Sequence, residues 1–181
     1  MWMFRSIPSM LLALLLTGCA SVGLDTAPAT PRALDTLNDD LGALVIALDM
    51  PRGVGAVEGG TALTLDLGGP RPQHLRAPLV EADADAVAAT LPPPGTGRAY
   101  YFLSLAPADQ VLVRTLQQSA RNSAVVPVLA VVPKYCVSGP LDLKSVTVAV
   151  LGGLPGRRLS PLVERATLAQ VAAGSPLPAC S

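Results

Sequence analysis

The residues of this 181-residue chain that could do chemistry are few and widely spaced. His74 is the only histidine, so a metal site would have one imidazole and would otherwise depend on carboxylates, unlike the zinc sites of proteins. The sequence contains neither a Gly-x-Ser-x-Gly elbow nor a Ser-x-x-Lys pair, which are two common arrangements for activating a serine. We therefore expect no metal and no cofactor.

A glycine-rich stretch follows the first predicted strand and looks like a phosphate-binding loop. Its glycines are Gly53, Gly55 and Gly59, so the third comes one place too late for the Gly-x-Gly-x-x-Gly spacing. A strand pattern follows the stretch, whereas phosphate binding needs the N-terminus of a helix at this point. We interpret the stretch as a loop between two strands.

Three acidic residues have the spacing of a calcium-binding loop. They are Glu81, Asp83 and Asp85. Ala86 stands where such a loop needs its turn glycine, and Pro92 stands where it needs a bidentate glutamate. The pattern is therefore typical of a solvated loop or a short helix.

A hydrolase with two carboxylates, such as Asp39 and Asp40, is the remaining enzyme alternative. Asn38-Asp39-Asp40 comes just before the first predicted strand, and this composition is typical of a turn. Glycoside hydrolases usually also carry aromatic platforms for the sugar, and the single tryptophan is Trp2, near the start of the chain. We predict that the chain is not an enzyme.

The composition excludes two further classes of protein. Half of the residues are hydrophobic and only 14% are charged, with 13 basic residues balancing 13 acidic ones. Binding to a phosphate backbone needs a basic surface that this chain does not have, so we expect no nucleic-acid partner. Intrinsic disorder needs low hydrophobicity or a high net charge, so we expect a folded chain.

The first residues have the order of a secretory signal peptide. Arg5 is followed by an apolar run over residues 10–16 and then by small residues up to Cys19. The run is too short to span a bilayer, which takes about 20 residues. Leu16-Thr17-Gly18-Cys19 resembles the lipobox of bacterial lipoproteins.

This resemblance implies a lipid anchor at Cys19. In that family the cysteine thiol receives a diacylglycerol, the peptide is cut before the cysteine, and the new amino terminus is acylated with a fatty acid such as palmitate. Three acyl chains exceed the two signals needed for stable anchoring. Ala20 and Ser21 follow in place of the aspartate that commonly retains family members at the inner membrane, which implies the outer membrane, facing the periplasm.

The chain accordingly divides into three parts. Residues 1–18 are predicted to be the signal peptide, residues 19–33 a lipidated tether containing Pro28 and Pro31, and residues 34–181 a single domain. After lipidation of Cys19, Cys136 and Cys180 remain as a pair. Because the periplasm is oxidising, we expect them to form a disulfide that holds the C-terminus, with two free thiols as the alternative.

Period-two alternation of apolar residues predicts six strands in the domain. The first two are predicted to pair as a long hairpin, and Pro78 is predicted to confine the third to a sheet edge. Strands at this spacing predict a mainly β fold, an antiparallel β-sandwich of the Ig-like or transthyretin-like kind. The predicted strands cover residues 43–49, 63–67, 75–79, 98–105, 125–132 and 145–151.

One inserted α-helix begins at Pro107, with Asp109 in its first turn and Arg121 near its end. Its predicted apolar stripe is Ala108, Val111, Leu112, Leu116 and Ala120, which leaves Gln117 for solvent. The pattern also allows a second, C-terminal helix over residues 161–173, with Ser160 as N-cap and Gly174 past its end.

Two pairs of residues are candidates for contact with a partner. Tyr100 and Phe102 share one face of a strand and Tyr101 lies on the other, so the pair is either covered by the helix or exposed as an anchor. Arg157 and Arg158 lie in a Gly-Gly-Leu-Pro-Gly loop that could meet an acidic partner or anionic lipid, although such a loop is usually a soluble rim.

The leading functional hypothesis is a non-catalytic envelope lipoprotein that presents a rigid β-sandwich to a protein partner of the cell envelope. It includes an assembly role, for example in a secretion system, by analogy of fold alone. The alternative from another class is a small-ligand carrier with a cleft between the helix and the sandwich.

Overall fold

A computed structural model describes residues 34–83, 91–172 and 176–180 of the chain. The predicted signal peptide, the predicted lipid-attachment residue Cys19 and the predicted tether lie outside these residues. Asp85 and Ala86 of the acidic stretch also lie outside them.

The elements of the described residues follow one another in a strand-rich order that begins with a short 3-10 turn, Leu41–Ala43. The helices are α1, Pro107–Ser123, and α2, Leu168–Ala172. The strands are β1 Val45–Pro51, β2 Val54–Ala56, β3 Ala62–Leu67, β4 Gln73–Glu81, β5 Arg98–Leu105, β6 Val128–Val132, β7 Tyr135–Val137, β8 Thr147–Gly153 and β9 Ser160–Thr167.

Seven strands form one antiparallel sheet in the order β6-β3-β4-β5-β1-β8-β9, and β2 pairs with β7 in a separate ribbon. The prediction of a mainly β, antiparallel fold is confirmed. Hydrogen bonds connect the seven strands in one sheet and do not divide them between two. The sandwich, and its Ig-like or transthyretin-like type, is therefore not confirmed.

The main core lies against one face of this sheet, here called the inner face, which carries Ile46 and Leu48 of β1. Side chains from all seven strands of the sheet, from the β2–β7 ribbon and from α1 pack together there. The opposite face, here called the outer face, carries Val45 and Ala47 of β1. Both faces of β1 are buried, because the inner core covers one and a smaller cluster with Phe102 and Leu159 covers the other.

The predicted hairpin between the first two long strands is wrong. β1 pairs with β5 and β8, whereas β3 pairs with β4 and β6. The glycine-rich stretch between them contains β2, which pairs with β7 instead. The entropy lost on closing a loop rises only slowly with the length of the loop, so a distant strand can pair almost as easily as a near one. Burial of the apolar faces therefore decides the pairing.

The predicted edge position of the strand with Pro78 is also wrong, because β4 lies between β3 and β5. Within the described strands, residues 73–78 pair with β3, and pairing with β5 begins at Leu79. Pro78 thus stands just before the point where β5 joins the strand. Proline has no backbone N–H to donate, and at Pro78 the strand does not yet pair with β5, so no hydrogen bond to β5 is lost.

Helix α1 begins at Pro107 as predicted and ends at Ser123. Its buried side chains are Val113, Leu116, Gln117 and Ala120, whereas Val111 and Leu112 of the predicted stripe are exposed. The buried stripe therefore consists of positions 113, 116, 117 and 120, which lie on one face of the helix and are rotated from the predicted stripe.

Gln117, predicted to face solvent, is only 1% exposed. Its Nε2 donates to the backbone oxygens of Thr36 at 3.0 Å, Leu37 at 3.2 Å and Asp39 at 2.5 Å. These carbonyls belong to the turn that the Asn38-Asp39-Asp40 sequence predicted. A polar side chain thus occupies a core-facing helical position because its two amide hydrogens are shared among the carbonyls of this turn.

The predicted C-terminal helix is wrong over most of its length. Ser160 to Thr167 form β9, which pairs with β8, and only Leu168–Ala172 is helical. Pro161, taken as a first helical residue, is compatible with the edge position of β9 in the sheet. Hydrogen bonding along β8 outweighs the local capping signals.

None of the helices in the described residues is long and apolar enough to cross a membrane.

Candidate functional site

Tyr100 and Phe102 lie on the outer face of the sheet, and Tyr101 packs against the inner core, as their alternation predicts. Helix α1 buries Val113, Leu116 and Ala120 in the inner core, on the Tyr101 side. The expectation that the helix covers Tyr100 and Phe102 is therefore wrong.

The two outer aromatics belong to a second, smaller apolar cluster with Val45, Ala47 and Leu159. Phe102 is 7% exposed, so it supports the surface from below and is not an exposed anchor. Tyr100 is half-buried, and its ring centroid lies 6.1 Å from that of Phe102. Of the two aromatics, Tyr100 is the one that reaches the surface.

An open cleft of about 550 Å³ lies above this cluster, and we call it the outer-face cleft. Tyr100 of β5 and Asp49 of β1 contribute to it from the centre of the sheet, and Leu91 and Pro92 contribute from the segment before β5. Strands β8 and β9 and the turn between them supply the remaining lining, which is Ala149, Leu151, Arg158, Leu159, Pro161, Val163, Glu164 and Arg165.

The charges at the base of the cleft are joined in a triad around Asp49, which is 6% exposed. Arg98 Nε lies 2.7 Å from Asp49 Oδ1, and Arg165 contacts Oδ2 through a terminal nitrogen at 3.1 Å. Arg98 also donates to the backbone oxygens of Asp49 and Thr147, each at 3.0 Å. The buried carboxylate is thus paired on both oxygens, as a buried charge requires.

The geometry of the triad follows from strand register. Asp49 stands opposite Tyr100 on β5 and opposite Ala149 on β8. Arg98 is two residues before Tyr100 on β5, so both side chains point to the outer face. Arg165 comes from β9, next to β8, and its exposed side chain reaches over β8 to Asp49.

The Tyr100 phenol is held in its protonated form. Burial raises the pKa of Tyr100, and the Asp49 carboxylate raises it further, while Arg98 and Arg165 act in the opposite direction. The hydroxyl is protonated at neutral pH, as an unperturbed phenol already is, and it can donate a hydrogen bond. Together with Arg158 it gives the cleft two donors that suit an anionic or carbonyl oxygen.

The two adjacent arginines have different roles. Arg157 contacts the buried carboxylate of Asp39 at 2.7 Å, so its charge stabilises the turn before β1. Arg158 is exposed and lines the outer-face cleft. The turn that separates them from β8 contains Gly156 with a φ of 76°, a conformation that suits glycine. Of the predicted contact residues, the structure therefore brings together Tyr100 and Arg158, with Phe102 beneath them, and places Arg157 elsewhere.

The cysteine pair lies apart from the cleft, on the β2–β7 ribbon. Cys136 and Cys180 are bonded with their sulfurs 2.11 Å apart, in agreement with the predicted pairing. Val137 donates to the backbone oxygen of Pro178 at 2.9 Å, and Cys180 donates to that of Val137 at 3.1 Å. The C-terminal segment is thus attached to the ribbon by both covalent and hydrogen bonds.

Gly55 on β2 makes room for this disulfide. A Cβ at this position would lie 3.0 Å from the sulfur of Cys136 and 3.1 Å from that of Cys180. The Gly53, Gly55 and Gly59 stretch therefore serves the ribbon, and Gly53 and Gly59 adopt positive φ angles of 81° and 61°.

His74 is paired across the sheet with Asp66, its Nδ1 lying 2.5 Å from Oδ1 in an exposed contact. Within residues 34–83, 91–172 and 176–180, no group of three or more His, Cys, Asp and Glu side chains is close enough to hold a metal ion.

Sequence reasoning missed the Asp49 triad. A signal was present, since Asp49 is the single charged residue in the apolar β1 sequence Val-Ile-Ala-Leu-Asp-Met-Pro. A lone carboxylate in a buried strand needs a cation, but the sequence does not indicate which arginine supplies it.

The chain matches no protein-family model, no curated protein and no solved structure.

Proposed function

We propose that the chain is a non-catalytic lipoprotein of the cell envelope, anchored through Cys19 to the outer membrane, whose β domain presents the outer-face cleft to a protein partner in the periplasm. The observation that carries the proposal is the convergence of Tyr100 and Arg158 on one open cleft. A half-buried tyrosine and an exposed arginine beside apolar side chains such as Leu159 have the composition of a binding hot spot.

The charges favour binding over chemistry. Both oxygens of Asp49 are occupied by arginines, so this carboxylate is poorly placed to act as a general base. Arg158 and Arg165 lie at the surface of the cleft, and among the exposed lining residues that the structure describes Glu164 is the one acidic side chain. The matching partner surface is an acidic side chain next to an apolar one.

For the fold, our proposal keeps a sandwich of the Ig-like or transthyretin-like kind, in which the long sheet bends over its own core. It is supported by the single inner core that takes side chains from all seven strands. A rigid body of this kind suits a contact surface built from residues of four different strands.

The cleft is tested by photo-crosslinking in cells. A photo-crosslinking phenylalanine analogue in place of Val163, which lines the cleft, should give an adduct with one envelope protein. The same analogue in place of Gln118, exposed on α1, is the matched control and should give none. Adding Arg158→Glu should reduce the Val163 adduct on the order of ten-fold, because the rim charge is reversed.

An adduct that is unchanged by Arg158→Glu, or equal at the two positions, would show that the cleft is not the contact surface. The anchor is tested separately with Cys19→Ala. This variant should lose its acyl mass and leave the membrane fraction, and a wild-type chain without acyl mass would contradict the anchor.

The second candidate function is a small-ligand carrier. The volume of the outer-face cleft, about 550 Å³, lies in the range of about 300–1,000 Å³ that ligand sites occupy. The cleft lies on the outer face and not between the helix and the sheet. Native mass spectrometry that finds a small molecule on the wild-type chain, absent from Tyr100→Ala, would favour the carrier.

A further inference from the structure

The two edges of the seven-stranded sheet are built differently. Edge strand β9 contains Pro161, Glu164 and Arg165. Proline and charged residues are the types that natural proteins place at sheet edges to prevent the addition of another strand. Edge strand β6 has the sequence Val-Leu-Ala-Val-Val. From Ala124 to Pro133 the sequence contains no charged or polar side chain. Among the residues that the structure describes, one edge is thus protected and the other is not.

The valines of the β6 edge are exposed. Val128 is 64% exposed and Val132 is 42% exposed, and Val126, just before the strand, is 64% exposed. Leu129 and Val131 alternate with them and pack into the inner core. Apolar side chains at an open edge are an aggregation hazard unless something covers them.

Backbone groups are available at the same edge. Among the described strands, β6 pairs with β3 alone, through residues 128–132. In an antiparallel ladder, alternate residues direct N–H and C=O away from the partner, so part of β6 can accept a further strand. Pro127 and Pro133 limit that pairing to the five residues between them.

We propose that β6 pairs antiparallel with β6 of a second copy of this chain, around a two-fold axis at Ala130. The strand is its own complement. In this register Val128 lies opposite Val132 of the other copy, Leu129 lies opposite Val131, and the small Ala130 lies opposite itself. No charge meets a like charge, because Lys134 lies opposite Val126. A second copy is therefore the occupant whose residues match this edge.

The register is tested with Ala130→Cys in the full chain, in its native membranes. At the two-fold axis the two Cα atoms of an antiparallel pair are about 4.5–5.5 Å apart, within the range of a disulfide. Mild oxidation should give a covalent dimer on a non-reducing gel. Glu164→Cys, exposed on the protected edge, is the control and should remain a monomer.

The apolar surface is tested with the double variant Val128→Lys and Val132→Lys. Light scattering of the full chain in detergent should give the mass of two chains for the wild type and of one chain for the variant. The double variant Val111→Lys and Leu112→Lys, with comparable exposure on α1, should keep the dimer. Circular dichroism of both variants confirms that they remain folded.

A monomeric wild type would overturn the proposal. A dimer that persists in the double variant Val128→Lys and Val132→Lys would overturn it as well. So would an Ala130→Cys variant that gives no covalent dimer on oxidation. Co-purification of a different protein in equal amount, lost only in the β6 variant, would also overturn it by assigning the edge to a foreign strand.

Discussion

Single residues control the polar groups that this apolar protein buries. The Asp49 carboxylate, the Gln117 amide and the Tyr135 hydroxyl are all largely removed from water. The carboxylate and the amide have partners, as a buried polar group normally does. Tyr135 differs, because its buried hydroxyl has no hydrogen-bond partner within the described residues.

Asp49→Asn should destabilise the domain by about 3 kcal/mol, because it leaves the mostly buried guanidinium of Arg98 without its counter-charge. Asp66→Asn, in the exposed pair with His74, is the control and should change stability by less than about 1 kcal/mol. Urea unfolding measures both variants. Equal effects would mean that the triad is not a buried ion pair in solution.

Tyr135→Phe should retain the stability of the wild type or raise it by about 1 kcal/mol, because the removed hydroxyl is buried without a partner. Burial, and next the charge of Asp49, raise the pKa of Tyr135, so the hydroxyl stays protonated and neutral. Tyr101→Phe removes a hydroxyl that is 3.5 Å from Glu81 and should have little effect. A clear loss of stability in Tyr135→Phe would indicate a hydrogen bond to that hydroxyl.

At the scale of elements, α1 is attached to the start of the domain by polar contacts at both the buried and the exposed side. Gln117 binds the turn over residues 36–39 from within, and Arg114 binds Asp40 from outside through two contacts of 2.9 and 3.0 Å. Asp40 also accepts from the backbone N–H of Gly42 and so caps the 3-10 turn. The helix and the turn are therefore expected to unfold together.

The Asp40 contact should stabilise the domain only above acidic pH. The hydrogen bond from Arg114 lowers the pKa of Asp40, against a smaller opposing effect of burial. A lowered pKa in the folded state adds stability above the ordinary value, about 3.9, and this stability is lost as the pH falls through the folded value. A double-mutant cycle of Asp40→Asn and Arg114→Ala should show coupling at pH 7 and none at pH 2. Coupling that persists at pH 2 would contradict the ion pair.

The strands show how much of the secondary structure is predicted by the local alternation of apolar residues. Period-two alternation located β1, β3, β4, β5, β6 and β8, and the helix start signals located α1. The pattern missed β2 and β7, which have three residues each and are too short to alternate visibly. It assigned β9 to a helix, because Ser160, Pro161 and Gly174 are also typical cap residues.

At the scale of the whole molecule, the disulfide connects the last described residues to the ribbon. The ribbon in turn packs against the inner core through Tyr135 and Val137. The bond closes a loop with a sequence separation of 44 residues that includes β8 and β9. Constraining a loop of this length in the unfolded state stabilises a domain by about 2–4 kcal/mol.

Cys180→Ser should therefore lower the free energy of unfolding by about 2–4 kcal/mol. Reductant should destabilise the wild type by a similar amount and leave the variant unchanged. The control is the double variant Cys136→Ser and Cys180→Ser, which should match Cys180→Ser alone. A wild type that is insensitive to reductant after its thiols are shown to be reduced would contradict a stabilising role.

The sequence by itself determined most of the local structure and the composition of the candidate site. Alternation placed Tyr100 and Phe102 on the face opposite Tyr101, because backbone geometry over a few residues decides the face of a strand side chain. The pairing of Cys136 with Cys180 was expected on a different ground, the lipobox resemblance that assigns the third cysteine, Cys19, to a lipid.

The tertiary structure alone decided which strands are neighbours and therefore which side chains meet. Tyr100 and Arg158 share a cleft because β1 inserts between β5 and β8, and β9 then extends the sheet beyond β8. The same order gives Asp49 its two arginines and leaves the apolar strand β6 at an edge. Strand order depends on the burial of faces that are distant in sequence, and no local pattern records it.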